Sequence, residues 1–218
     1  MRNADERDIL SIHEHDISIR SREIFLQGEI DPDGYATYNI IKNLSILEKQ
    51  SKKPIIIHQY SGGGDIAGGL AIYDAIAMCK CPIIFICYGM AASMGSIIPQ
   101  ACVAHGNSYR VCTPNCIWLV HEGYVSSDGT YKYLQSLSSI SNILNRKLLD
   151  IYISSCANGP YFDGKSRAQV RTFLKNKIDK KEDWWFEANE AVEYGFVDGI
   201  LGTENFWSIS DMIAEFGV

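Results

Sequence analysis

The sequence lacks two features that would point to particular classes of protein. It has no excess of basic residues, since 20 Lys and Arg stand against 26 Asp and Glu, for a net charge of −6. A broad nucleic-acid interface needs a basic face, so we expect no nucleic-acid partner. It also has no linker rich in Pro, Gly or Ser and no internal repeat, which predicts one main domain.

The seven cysteines lack the spacing of a zinc site. No Cys-x-x-Cys pair occurs, and neither Cys79 with Cys81 nor Cys112 with Cys116 has a matching pair downstream. The number of cysteines is odd, and several lie in apolar runs. We therefore expect buried free thiols in a reducing cytoplasm, with no bound metal.

Residues 81–109 contain no Asp, Glu, Lys or Arg, which raises the question of a membrane span. A spanning helix needs about 20 mainly apolar residues. Here Pro82, Gly89, Gly95 and Pro99 interrupt the stretch, which favours a buried strand, a turn and a buried helix. Residues 1–8 are polar and charged, so we expect neither a signal peptide nor membrane attachment.

Apolar runs alternate with amphipathic segments along most of the chain. This alternation predicts an α/β fold with a largely parallel sheet. A helix over 35–50 is expected to bury Tyr38, Ile41, Leu44 and Leu47 along one stripe. The predicted strands lie near 24–26, 55–57, 82–87, 109–111, 117–120 and 197–201, and the other helices over 68–78, 94–101, 130–155, 165–176 and 188–194.

The two ends of the chain are predicted to differ from the main domain. Residues 1–20 carry scattered charges and are expected to form a mobile or partner-ordered arm. Residues 21–202 form the main domain. Residues 203–218 form a C-terminal extension, whose apolar residues predict a helix docked on this chain or on a neighbour.

The segment 89–95, Gly-Met-Ala-Ala-Ser-Met-Gly, is the most informative part of the sequence. It predicts a tight turn of small residues between a buried strand and a buried helix. Ser93 would lie where the helix begins, beside unpaired N–H groups. A nucleophilic serine is usually placed in this way.

Three further segments accompany this turn. They are the glycine turn 61–65, the strand end 120–123 with His121, and Asp183 followed by 190–198. In this order the four segments resemble the Clp-type serine peptidases, the ClpP family, over roughly residues 23–201. The resemblance implies a ClpP/crotonase-like fold of repeated β-β-α units, with a protruding handle helix over 130–155.

The resemblance also implies a catalytic site. Ser93 would be the nucleophile, His121 the base and Asp183 the acid that orients the imidazole. Asp179 is a nearby alternative to Asp183, and most such charge runs are simply solvated. A histidine at a strand end is also often only structural. The oxyanion would be held by N–H groups of the two residues Gly64 and Met94.

Family membership would further imply a homo-oligomer of stacked heptameric rings that encloses its active sites. Polypeptide substrates would be delivered by an AAA+ unfoldase, and no metal or organic cofactor would be needed. Glu122 and Gly123 stand where many relatives carry Gln and Pro, which could alter the substrate-binding strand.

Other functions compete with this interpretation. A ClpP-like protease could process one set of proteins, such as viral capsid precursors, without an unfoldase. A crotonase-fold acyl-CoA enzyme needs paired N–H donors but neither Ser93 nor His121. A non-catalytic ring subunit usually lacks members of the triad.

Residues 159–166 match the pattern of a phosphate-binding loop. That mechanism needs a strand before the loop and free N–H groups in it. A helix is predicted there instead, and Pro160 has no N–H. We therefore predict a connection between two helices, within an insertion over 156–178, and no nucleotide site.

Overall fold

The computed structural model describes residues 4–31, 33–123, 127–203, 205–206 and 208–217. Residues 1–3 of the predicted arm and residues 204, 207 and 218 of the predicted extension lie outside the described residues. Within the described ranges the strands are β1 (Ile17–Ser18), β2 (Glu23–Ile30), β3 (Ile55–Gly64), β4 (Ile83–Ala92), β5 (Ser108–Cys112), β6 (Ile117–Val120), β7 (Trp184–Glu187) and β8 (Gly199–Ile200).

The helices of the described residues lie between these strands and at the two ends of the chain. They are α1 (Ala4–His15), α2 (Tyr35–Gln50), α3 (Ile66–Met78), α4 (Met94–Ile97), α5 (Ala101–His105), α6 (Tyr131–Cys156), α7 (Arg167–Lys180), α8 (Ala188–Glu193) and α9 (Ile209–Glu215). Two short 3₁₀ turns, Ile98–Gln100 and Pro160–Phe162, precede α5 and α7.

The strands form one largely parallel sheet, as predicted. Strands β2, β3, β4 and β5 pair in parallel in that order, and β8 continues the row beside β5. Strand β4 has two partners: Ile83–Cys87 pairs with β5, and Met90–Ala92 pairs with β6. Strand β7 then runs antiparallel to β6. The end of β4 is therefore adjacent to β6, which in turn is adjacent to β7.

The two faces of the sheet are covered by different parts of the chain. Along β4, Ile83 and Phe85 pack into the main core, whereas Ile84 and Ile86 belong to a second cluster on the opposite face. This alternation is the period of two expected of a strand. Met212 of α9 is buried in the second cluster, so the C-terminal helix docks on its own chain.

Helix α2 has the predicted bounds but not the predicted stripe. Ile40, Leu44 and Leu47 are buried, whereas the Tyr38 side chain is 68% exposed and Ile41 is only partly buried. The helix is rotated about its axis relative to the prediction, so that Asn43 also faces inward. There the Asn43 Nδ2 donates to the main-chain oxygen of His15 at 2.8 Å.

The N-terminal segment is folded from residue 4 onward, so the prediction of a mobile or partner-ordered arm is wrong for 4–18. Helix α1 buries none of its residues, and polar contacts attach it to the domain. Ser18 Oγ donates to Asp8 Oδ2 at 2.7 Å, and the N–H of Phe25 donates to the main-chain oxygen of Asp16 at 2.9 Å. Hydropathy alone does not predict a segment held by such contacts.

Helix α6 is long and largely exposed at its beginning. The Thr130 side chain caps it by accepting from the N–H of Tyr133, and its first buried residue is Leu148. The earlier turns still carry apolar side chains, of which Leu134 and Ile140 are 41% and 46% exposed. The predicted handle helix is therefore present, with an apolar surface that the described chain does not cover.

Residues 159–166 connect two helices, as predicted. Helix α6 precedes them, and the Lys165 ammonium donates to the Tyr161 main-chain oxygen and lies 4.1 Å from the Tyr161 ring centre. The charge-free stretch 81–109 is divided into β4, α4, α5 and part of β5. Among the described residues, no helix is both long and apolar enough to cross a bilayer.

Candidate active site

Ser93 lies on a strained turn between β4 and α4. Its φ and ψ are 53° and −124°, in the left-handed half of the map that a side chain disfavours. The N–H of Ser93 donates to the main-chain oxygen of Leu119 at 3.0 Å, and the main-chain oxygen of Ser93 accepts from the N–H of Ser96 at 2.9 Å. These bonds maintain a turn of the kind that presents a nucleophilic serine.

The glycine turn at the end of β3 lies directly against Ser93. Gly63 has a φ of +98°, and a Cβ there would lie 2.6 Å from the Ser93 Cβ and 3.0 Å from the Met94 nitrogen. Gly64 has a φ of +137°, and a Cβ there would lie 2.2 Å from the Ile30 main-chain oxygen. The approach of the two turns therefore requires glycine at position 63, and the contact of the glycine turn with β2 requires glycine at position 64.

His121 follows β6 and reaches Ser93. Ala92 pairs with Leu119 across the two parallel strands, so residues just beyond these positions are neighbours. The His121 Nε2 lies 2.7 Å from the Ser93 Oγ. The imidazole is thus placed to take the proton of the hydroxyl.

Asp183 contacts the other nitrogen of the imidazole. Val120 pairs with Trp184 in the antiparallel register of β6 and β7, so His121 and Asp183 stand one residue beyond this pair. The Asp183 Oδ1 lies 3.1 Å from the His121 Nδ1. Among the described residues, Asp179 makes no hydrogen bond or ion pair with His121, which favours Asp183 over Asp179.

A cleft of about 340 Å³ opens beside His121, between α6 and α7. This cleft could not be predicted from the sequence, because its lining comes from two helices and a loop that are distant in the chain. The lining residues are His121, Glu122, Asn142, Asn145, Arg146, Leu148, Leu149, Tyr152, Arg171, Lys175, Ile178 and Asp179.

Two polar side chains near the site were not predicted. Ser96 Oγ lies 2.7 Å from the main-chain oxygen of Ser93 and 2.7 Å from the Tyr152 hydroxyl, and both side chains are buried. The available signal was a hydroxyl within an otherwise apolar segment, three residues after Ser93. Its partner, Tyr152, could not be identified from the sequence because it lies 56 residues further along the chain.

The cysteines are free and buried, as predicted. Burial raises the pKa of Cys79 to about 11 and also raises the pKa of Cys102 and Cys156, so these thiols stay protonated. No cluster of His, Cys, Asp or Glu suited to a metal ion occurs in the part of the chain that the structure describes.

Comparison with known proteins identifies the family of the chain. The family described as Clp protease matches residues 11–204. The chain belongs to the Clp protease family. The residues of the candidate site, from the glycine turn to Asp183, all lie within the matched region.

Curated relatives of the Clp protease family match most of the chain. The ATP-dependent Clp protease proteolytic subunit 1 of Chlamydia muridarum is 31% identical over 188 residues, which cover 85% of this chain and 88% of the relative. The subunit 1 of Leifsonia xyli subsp. xyli and the subunit 3 of a Synechococcus species are each 30% identical and cover 84% of both chains compared.

The close approach of the glycine turn to Ser93 generates a prediction about stability. Gly63→Ala places a Cβ against Ser93 at a positive φ, so we expect it to lower the free energy of unfolding by about 3 kcal/mol. Gly62→Ala is the matched control, because Gly62 has no positive φ and a Cβ there would meet only the Met90 sulfur at 3.9 Å. It should change the free energy by less than about 1 kcal/mol.

Urea denaturation of both variants measures this difference. Equal stabilities of the Gly63→Ala and Gly62→Ala proteins would show that the two turns are not in contact as described.

Proposed function

We propose that this Clp protease family member is a serine-type endopeptidase whose nucleophile is Ser93. The observation that carries the proposal is the hydrogen-bonded series from Ser93 Oγ to His121 Nε2 and from His121 Nδ1 to Asp183. A serine hydroxyl is a poor nucleophile until a base removes its proton, and this arrangement supplies that base. Asp183 would fix the tautomer of the imidazole and stabilise the imidazolium.

The reaction would proceed through an acyl-enzyme. The Ser93 Oγ attacks the peptide carbonyl while its proton moves to His121, and His121 then protonates the leaving amine. Water, deprotonated by His121, hydrolyses the ester and restores the Ser93 hydroxyl. The tetrahedral intermediates would be stabilised by the N–H groups of Met94 and Gly64. Two facts support this assignment. Met94 is the first residue of α4, where N–H groups have no helical acceptor, and Gly63, the neighbour of Gly64 in the glycine turn, packs against the Met94 nitrogen.

The substrates would be polypeptides supplied by a separate ATPase. The relatives named above are called ATP-dependent, and the residues described here offer no loop of the phosphate-binding kind, since residues 159–166 connect two helices. An AAA+ unfoldase partner and a cytoplasmic location are therefore proposed together. The proposed peptidase domain comprises residues 21–202. Helix α1 extends the folded region toward the N-terminus.

The active form would be a homo-oligomer, for which stacked heptameric rings are the proposed arrangement. Support comes from the first half of α6, where Leu134, Ile140 and Ile143 are 41–46% exposed. Large apolar side chains exposed along a helix are characteristic of a surface that is covered in an assembly.

Fluorophosphonate labelling of the purified protein tests the proposed chemistry. We expect the wild type to be labelled at Ser93, and Ser93→Ala to lose labelling and about 10⁴-fold to 10⁶-fold in peptidase kcat. Native mass spectrometry of the same samples shows whether the labelled species is an oligomer.

An assembled wild-type protein that neither reacts with the fluorophosphonate nor cleaves a peptide would contradict the proposal. Labelling would in turn exclude a crotonase-type acyl-CoA enzyme, which has no need of an activated serine.

The apolar surface of α6 generates a separate prediction about assembly. Ile140→Lys places a charge on the exposed apolar side of α6 and should shift the native mass toward smaller species. Gln135→Lys is the matched control, because Gln135 is exposed on the same helix but is not three or four residues from Leu134, Ile140 or Ile143. We expect it to assemble like the wild type. Identical masses for all three proteins would show that this surface is not an interface between subunits.

A further inference from the structure

Helix α6 contacts the nucleophile turn through one buried hydroxyl pair. The Tyr152 hydroxyl lies 2.7 Å from the Ser96 Oγ, and Ser96 Oγ lies 2.7 Å from the main-chain oxygen of Ser93. Ser96 is fully buried and Tyr152 is 2% exposed. Water therefore cannot replace either partner without rearrangement, and burial keeps the Tyr152 hydroxyl protonated by raising its pKa.

The number of protons determines the direction of these bonds. The Ser96 hydroxyl has one proton, which it donates to the Ser93 main-chain oxygen, with the Leu119 main-chain oxygen 3.1 Å away as a second acceptor. Ser96 Oγ then accepts the proton of Tyr152. Since Leu119 also accepts from the N–H of Ser93, Ser96 joins the nucleophile turn to the strand that leads to His121.

The same helix contacts the segment that follows His121. Asn145 Oδ1 accepts from the N–H of Gly123 at 2.8 Å, and Asn145 Nδ2 donates to the Gly123 main-chain oxygen at 3.3 Å. Asn145 and Tyr152 are separated by two helical turns and therefore lie on one face of α6. One rigid helix thus fixes both the turn of the nucleophile and the segment after the base.

We propose that Tyr152, through Ser96, and Asn145, through Gly123, are positioning residues that set the contact between Ser93 and His121. The proposal rests on the proposed peptidase function. Neither side chain takes part in the chemistry itself. Their role is geometric, and a displacement of about 1 Å between reacting groups can reduce a rate about 100-fold.

Tyr152→Phe tests the hydroxyl pair while it retains the ring that packs against Phe196. We expect kcat and the rate of fluorophosphonate labelling to fall about 10-fold to 100-fold, with KM for a small peptide changed less than about 2-fold. Tyr194→Phe is the matched control, because Tyr194 is also buried among aromatic rings but has no hydrogen bond to the Ser93 turn. It should retain the wild-type kcat.

Ser96→Ala and the double variant with Tyr152→Phe test whether the two hydroxyls act as one unit. We expect the double variant to lose no more activity than Ser96→Ala alone, because the interaction is already broken. Asn145→Asp keeps the acceptor for the N–H of Gly123 and should retain at least 5-fold more activity than Asn145→Leu, which removes it.

The outcomes separate this proposal from the proposed function. A wild type without labelling or cleavage overturns the peptidase function itself. With an active wild type, a Tyr152→Phe enzyme that matches Tyr194→Phe in kcat and labelling rate overturns the positioning role. Melting temperatures well above the assay temperature show that each variant is folded during the assay, and the activities are compared per mole of folded protein.

Discussion

The geometry of this site depends on the left-handed backbone conformation of Ser93. At a φ of 53° the chain reverses between β4 and α4, and the side chain emerges from the turn toward His121. Such a conformation is unfavourable by about 1–3 kcal/mol and persists only where surrounding contacts maintain it. Here the N–H of Ser93 donates to the main-chain oxygen of Leu119, and the main-chain oxygen of Ser93 accepts from the N–H of Ser96. Gly63 has no side chain, which leaves room for the turn.

The strand order of the sheet brings the other two residues of the candidate site to the Ser93 turn. Because β4 changes partner from β5 to β6 along its length, its end is brought beside the strand that precedes His121. Because β7 runs antiparallel to β6, Asp183 arrives on the far side of the imidazole. Three side chains that are distant in sequence therefore meet at the ends of neighbouring strands, and the buried strands on either side limit how far they can separate.

Much of the site could be predicted from sequence because it consists of local motifs. The small-residue turn around Ser93 and the glycine turn at 61–65 are specified by short segments, and the strand end before His121 is apolar and β-branched. The pairing of Ser96 with Tyr152 could not be predicted, because it depends on the packing of α6 rather than on spacing. The N-terminal arm was predicted wrongly for a related reason: its helix is attached by polar contacts such as that between Ser18 and Asp8, which leave no hydropathy pattern.

The central claim is that the Ser93 turn directs an acyl group toward two backbone N–H donors. The crystal structure of the protein after reaction with diisopropyl fluorophosphate measures this most directly. The account predicts phosphorus bonded to Ser93 Oγ, with the phosphoryl oxygen about 2.7–3.1 Å from the nitrogen atoms of Met94 and Gly64. An adduct on another residue, or a phosphoryl oxygen directed away from both nitrogen atoms, would contradict it.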